Sequence, residues 1–358
     1  NAGKAQSADN PSLYERCVYT MPRGQATLEQ PDTSGVRVTF SDQTASAFGD
    51  AAARFAGPLA TVDINRRAWN DLLVIDGGSL RLLWNSNGVF SPKADPLPLP
   101  TVGTPRTIAA GDLNNDRYED LVITGDNGIA VLRAATNGVL SDATRISNLG
   151  TVPGIAGALI DPDFTGKLGL AALHPKGGLR LFRGFGNLAF REIPPTSAVP
   201  VQVTGATAIT IDDWNNDDLP DLILTRTAQP PLVLFNQRGG GLNASNQPTG
   251  WPVAQALATA DLNNDLRTDI AIATDKTIDL FLGGLREPRR LAAKDNQVSH
   301  LRFIDYDNDG WQDLLGWGTK GLRVWRNRGR LGFQDVSETL GITANDPKIR
   351  KWALARSK

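Results

Sequence analysis

The chain of 358 residues has one cysteine, Cys17, and two histidines, His174 and His300. A lone cysteine excludes an internal disulfide and any metal site built from cysteines. Two histidines far apart in sequence leave little for a histidine base or a histidine-ligated zinc. No apolar run approaches the roughly 18 residues of a membrane-spanning helix. Charge of one sign is also lacking: 37 Lys+Arg face 38 Asp+Glu, a formal net charge of −1, so no basic excess argues for nucleic acid. No signal peptide is present, and the chain begins at Asn1 rather than Met, as expected of a processed chain or a fragment. Lysine is scarce beside arginine and alanine is abundant, which points to a GC-rich bacterial genome.

What the chain does have is Gly (36), Pro (22) and a recurring acidic segment. "GDLNNDRYEDLVI" starts at Gly111 and crowds Asp112, Asn114, Asp116 and Asp120 before an apolar run. Related segments are "VDINRRAWNDLLVI" from Val62, "IDPDFTGKLGLAAL" from Ile160, "DDWNNDDLPDLILT" from Asp212, "ADLNNDLRTDIAIA" from Ala260 and "IDYDNDGWQDLLGW" from Ile304. Their first loop aspartates, Asp63, Asp112, Asp161, Asp213, Asp261 and Asp305, stand 49, 49, 52, 48 and 44 residues apart. Such spacing marks a repeat protein.

Each unit has the same internal order. A short apolar stretch precedes the acidic loop, and a Leu/Ile/Val run follows it. A turn such as "GDNG" at 125–128 leads into a second run, "SLRLLWN", "GLRLFRG" or "GLRVWRN". These runs alternate in part and end in turn residues, as strands do. About four short strands per unit, with no helical pattern between them, predict an all-β fold: a β-propeller of four-stranded blades.

Six loops are visible, but "GVRVTFSDQTAS" from Gly35 resembles the unit ending "GFQDVSETLGI" from Gly332, and "RKWALA" from Arg350 resembles a first strand. We therefore expect seven blades, the last closed between the two termini, with six blades as the alternative. On this reading residues 35–358 form the propeller, and residues 1–34 are an N-terminal extension or strands of the closing blade.

The loops place oxygen side chains at positions 1, 3, 5 and 9, with a backbone carbonyl at 7. That set can wrap one hard cation, and calcium, which takes six to eight oxygens in irregular geometry, suits it better than magnesium. Four loops are complete. They are Asp112, Asn114, Asp116, Tyr118 and Asp120; Asp213, Asn215, Asp217, Leu219 and Asp221; Asp261, Asn263, Asp265, Arg267 and Asp269; and Asp305, Asp307, Asp309, Trp311 and Asp313. Tyr118, Leu219, Arg267 and Trp311 would supply the carbonyls, giving about four calcium sites. In the first loop Arg67 takes position 5 between Asp63, Asn65 and Asp71, and is expected to stand in for an ion. The third has Thr165 and Gly169 at positions 5 and 9, so a weak ion or none is expected there. Among the four complete loops position 6 is Gly only at Gly310, although such turns favour glycine.

These loops, and the ending "GFQDVSETLGI", resemble the FG-GAP/VCBS repeats of integrin-α-type propellers across about residues 35–341. The resemblance implies seven blades, with calcium between the first and second strands of a blade. It also implies a secreted or surface location of the kind found in bacterial relatives. The Phe-Gly pair of the family name appears only at Phe48-Gly49 and Phe185-Gly186.

Local, repeated ions serve stability, so a partner is sought on the other face, where the turns between second and third strands should lie. Asp126, Lys176, Arg226, Lys276 and Lys320 are candidates there, with Trp251 and Trp317 as anchors for sugars or proteins. His174 reads as a turn residue, "PLPLP" at 96–100 as a stiff link, and "KIRKWALARSK" as a basic closing strand. The expected function is a non-enzymatic, calcium-stabilised module outside the cytoplasm, binding protein or glycan. One alternative is a structural subunit of a large extracytoplasmic assembly. The other is a carbohydrate-active lyase or hydrolase, which needs a carboxylate pair outside the loops, such as Glu192, Glu287 or Asp126.

Overall fold

The structure, a computed structural model, describes residues 38–41, 57–76, 78–92, 97–100, 102–194, 203–237, 241–283, 288–293 and 297–342. Within them the chain forms successive antiparallel meanders. The first sheet holds β1 (Leu59–Val62), β2 (Asp71–Asp76), β3 (Ser79–Ser86), β4 (Val89–Pro92) and a short β5 (Leu97–Pro98). The second holds β6 (Pro105–Gly111), β7 (Asp120–Gly125), β8 (Ile129–Ala135) and β9 (Val139–Asp142). The third holds β10 (Ala156–Ile160), β11 (Gly169–Leu173), β12 (Leu179–Gly184) and β13 (Phe190–Glu192). The fourth comprises β14 (Ala206–Asp212), β15 (Asp221–Arg226), β16 (Gln229–Gln237) and β17 (Gly241–Asn243). β18 (Ala256–Ala260), β19 (Asp269–Ala273), β20 (Thr277–Phe281) and β21 (Arg289–Ala292) build the fifth. β22 (His300–Ile304), β23 (Asp313–Gly318), β24 (Gly321–Asn327) and β25 (Phe333–Asp335) build the sixth.

In every sheet the strands pair in chain order. The first strands follow one another in space, β1 beside β6, then β10, β14, β18 and β22. This is a β-propeller of four-stranded blades, with six blades among the described residues. "PLPLP" is more than a link, since Leu97 and Pro98 pair with Leu80 and Ser79 and extend the edge of the first blade.

The blades adhere through apolar residues of their middle strands. β7, β11 and β19 are buried along their whole length, because a neighbouring blade covers each face. Leu73 and Leu121 belong to one cluster between the first two blades, and Val122 and Leu170 to the next. Leu181 with Leu222, Ile223 with Ile270, and Ala271 with Leu314 continue the series.

The series ends at a seam. Among the described residues β22 does not pack on β1 as the other first strands pack on each other. Instead Val324, Leu340 and Ile342 of the sixth blade gather Val38 and Phe40, and the Phe40 N–H donates to the Leu340 carbonyl at 2.8 Å. The expected seventh blade rests otherwise on residues outside the described ones, as do residues 1–34, "RKWALA" and "KIRKWALARSK".

Candidate metal centres

Each acidic loop joins the first and second strands of its blade and folds as the same turn. The position-1 aspartate accepts two backbone N–H bonds, from positions 5 and 6. For Asp112 the donors are Asp116 and Arg117 at 3.1 and 2.7 Å, and for Asp305 they are Asp309 and Gly310 at 2.9 and 2.8 Å. Asp213 does the same with Asp217 and Asp218, and Asp261 with Asp265 and Leu266. The incomplete loops keep this geometry at Asp63 and Asp161. Positions 4 and 6 take positive φ, as at Asn115 (60°), Arg117 (73°), Asn264 (56°), Leu266 (66°) and Gly310 (83°). Asparagine tolerates that conformation at position 4, whereas position 6 imposes it on Arg117, Asp218 and Leu266.

The position-9 aspartate fastens the loop to the third strand. Asp120 accepts from Leu113 N–H at 3.0 Å and Ala134 N–H at 2.8 Å. Asp313 accepts from Tyr306 and Asn327 at 3.2 and 2.7 Å. Asp221 bonds Trp214 and Asn236 in the same way, and Asp269 bonds Leu262 and Gly283. All four are fully buried. Burial lifts each carboxyl to about 7, outweighing the two donors that favour its charge.

The third loop solves the same problem without a carboxylate. A Cβ on Gly169 would stand 2.2 Å from the Phe182 carbonyl, and one on Gly184 1.9 Å from that of Leu168. The backbones close up where aspartate would have stood.

The residue before the third-strand donor differs between blades. Arg133 there reaches Asp116 at 3.1 Å, Arg183 pairs with Asp163, and Arg326 meets Asp307 and Asp309 at 2.7 and 3.1 Å. In the fourth and fifth blades Phe235 and Leu282 occupy this place. In the first, Arg67 stacks 4.3 Å over Trp84 and donates to Asn65 at 2.9 Å. Its guanidinium is thus bonded to the amide rather than to Asp63 or Asp71. Sequence reading missed this strand position, although "VLRAA", "LFRG" and "VWRN" repeat the arginine.

The donor set suits a hard cation. Every side chain at positions 1, 3, 5 and 9 of the complete loops offers oxygen, and a carboxylate has about four lone-pair sites, more than its N–H donors use. In the sixth loop, oxygens of Asp305, Asp307 and Asp313 lie within 4.8 Å of one another. Asp307 is 7% exposed, and its Oδ1 has no hydrogen-bond partner. The residues present therefore fit calcium.

The turns between second and third strands lie at the opposite ends of the strands and carry Asp126, Lys176, Arg226, Lys276 and Lys320 on successive blades. Several are engaged. Arg106 grips Asp126 at 2.7 and 2.9 Å, and Arg226 donates to the Pro230 carbonyl at 2.8 Å. Lys176 and Lys276 are exposed, and the Lys176 N–H donates to His174 Nδ1 at 3.1 Å within the turn. Trp317 is half-buried on β23 opposite His300.

Trp251 sits elsewhere. It is 7% exposed, packed edge-on to Trp214 at 5.1 Å and against Phe281 at 6.3 Å, beside the acidic loops. The link from β17 to β18 is long enough to carry it between two blades, where its apolar area is covered. Of the carboxylates considered for catalysis, Glu192 and Asp126 each form a two-pronged pair with an arginine. The bonds from Arg180 and Arg106 lower their pKa values, the reverse of what a general acid needs. Glu287 lies outside the described residues.

Comparison with known proteins agrees with this geometry. A lectin of Agrocybe aegerita, described as recognising non-reducing terminal N-acetylglucosamine, superposes with TM-score 0.59 at 16% identity, covering 88% of this chain and 87% of that one. The BP39L lectin from Burkholderia pseudomallei gives 0.53 at 16%, covering 76% and 81%. BBS1N, in complex with ARL6DN, gives 0.51 at 13%, covering 76% and 79%. At such identities the likeness is one of fold. No curated protein matches the chain. Residues 63–123, from the first acidic loop into the second strand of the next blade, match the family described as FG-GAP-like repeat. That segment is an FG-GAP-like repeat, and the chain carrying it is a β-propeller of four-stranded blades.

Proposed function

We propose that the protein is a non-enzymatic binding module, stapled by about four calcium ions and working outside the cytoplasm on a glycan or protein partner. The observation that carries this reading is the fourfold recurrence of one turn with its innermost carboxyl fully buried, and in the sixth loop three carboxylates within 4.8 Å of one another. Ionised together without a cation, these groups repel one another, and an oxygen-only set of irregular shape is calcium's preference. Loops of modest affinity suit the millimolar calcium found outside cells. The likeness of fold to two lectins supports glycan as a partner class. The arginine-held states of Glu192 and Asp126 speak against glycosidic chemistry. When bound, calcium would supply charge neutralisation, while Asp120, Asp221, Asp269 and Asp313 tie the loops to the third strands with or without it.

Native mass spectrometry and thermal melting, in calcium and after chelation, test the reading. About four bound ions and a large fall in melting temperature on chelation are expected. An ion-free protein with an unchanged melt would reduce the carboxylates to turn caps.

A further inference from the structure

We infer that the cleft between the fourth and fifth blades binds a neutral sugar residue, with Trp214 as its platform; this rests on the calcium-stapled module proposed above. The cleft has a volume of about 600 Å³, within the range of small-molecule sites. Its wall is aromatic: half-buried Trp214 stands edge-on to buried Trp251, which is backed by Phe281. Its two lips are acidic loops, contributing Asn215 from one blade and Arg267 from the next. The lips are fixed to each other from beneath. Thr268 Oγ1 crosses the blade boundary and lies 3.0 Å from both Asp212 Oδ1 and the Asp213 carbonyl. Such a site is formed before its ligand arrives.

The chemistry of the lining selects the ligand. The Asn246 amide, the Thr249 hydroxyl and the Arg267 guanidinium line the cleft and form no hydrogen bond with another described residue. An aromatic face flanked by free donors suits a pyranose ring, whose C–H face packs on indole while its hydroxyl oxygens accept bonds. Among the described residues of the lining, Arg267 is the only charged one. The two loops that form the lips also carry Asp213, Asp217, Asp218 and Asp221 on one side and Asp261, Asp265 and Asp269 on the other. One divalent ion per loop cancels only part of that charge, so an anionic sugar is repelled and a neutral one admitted. These are also the two complete loops whose third-strand position holds Phe235 or Leu282 instead of arginine, and Leu282 itself lines the cleft.

The test titrates the calcium-loaded full chain with lactose and with diacetylchitobiose, using glucuronic acid as the charged control. Binding of a neutral saccharide is expected, at least about tenfold weaker in Trp214→Ala and measurably weaker in the rim variant Asn246→Ala. Both variants should retain the ion count of the parent; Asn246→Ala should also keep its melt, whereas Trp214→Ala melts lower because it uncovers Trp251. Failure of both neutral sugars to bind, equal binding by Trp214→Ala, or equal binding of glucuronic acid would overturn the inference. The two readings fail separately: four bound ions without sugar binding sinks the cleft alone, whereas an absence of ions sinks the staple.

Discussion

At Leu266 the backbone is held at φ 66° in a loop position that glycine fills in the sixth blade. An L-residue there costs about 1–2 kcal/mol, partly offset by the freedom a glycine loses on folding. Leu266→Gly is expected to stabilise the protein by about 1 kcal/mol in denaturant titration, and Leu266→Ala to gain nothing. Arg326 makes a second case. Between Asp307 and Asp309 it acts as an internal counter-ion, so Arg326→Leu should lower the melting temperature of the chelated protein more than that of the loaded one. The gap between the two melts then widens; an unchanged gap would show that the arginine does not compete with the ion. The acidic turns were legible in the sequence because one spacing recurs in four loops. The arginines were not, because their partners are 17 to 20 residues away and meet only when a third strand folds back beside its loop.

Among elements, the blade is a meander pinned at one point by an aspartate bridging loop and third strand. Asp120→Ala would leave the buried N–H groups of Leu113 and Ala134 without acceptors, at about 1–3 kcal/mol each. A loss of roughly 3 kcal/mol or more is expected on chemical unfolding, in calcium and in chelator alike. An effect confined to calcium would make Asp120 a ligand only. Gly169→Ala in the third blade should cost a comparable amount, since its methyl group meets a backbone carbonyl that cannot move aside. Strand order was readable from apolar runs between turn residues. The pairing of Leu97-Pro98 with β3 was not, because two residues carry no period. The place of Trp251 was not legible either, because the link that carries it has no period; its large apolar surface fills the gap between two blades rather than the opposite face.

For the whole molecule, the core is a set of clusters between neighbouring sheets, and stability should respond to pH through the buried loop carboxyls. In metal-free protein Asp120, Asp221, Asp269 and Asp313 titrate at about 7, against an ordinary 3.8. Between those values the unfolded chain has released protons that the folded chain still holds. The chelated protein therefore loses stability as pH rises from about 4 through 7. Calcium requires the ionised form, so its stabilisation grows over the same range. Melting curves with and without calcium should converge in acid and separate above pH 7, and parallel curves would contradict the assignment. The repeat and the fold class were legible because every blade obeys one pattern. Closure was legible only as an expectation, because the seam beside the sixth blade involves the chain's two ends.

The position-1 aspartate caps its turn in all six loops, including the two whose ligand sets are broken. Turn geometry and ion chemistry are thus separable within a blade. A lineage of such repeats could shed or regain a metal one blade at a time, by ordinary point substitutions, while the ring went on folding. The number of ions would then drift freely among descendants of one architecture, and the place where ions are kept would mark where selection acts.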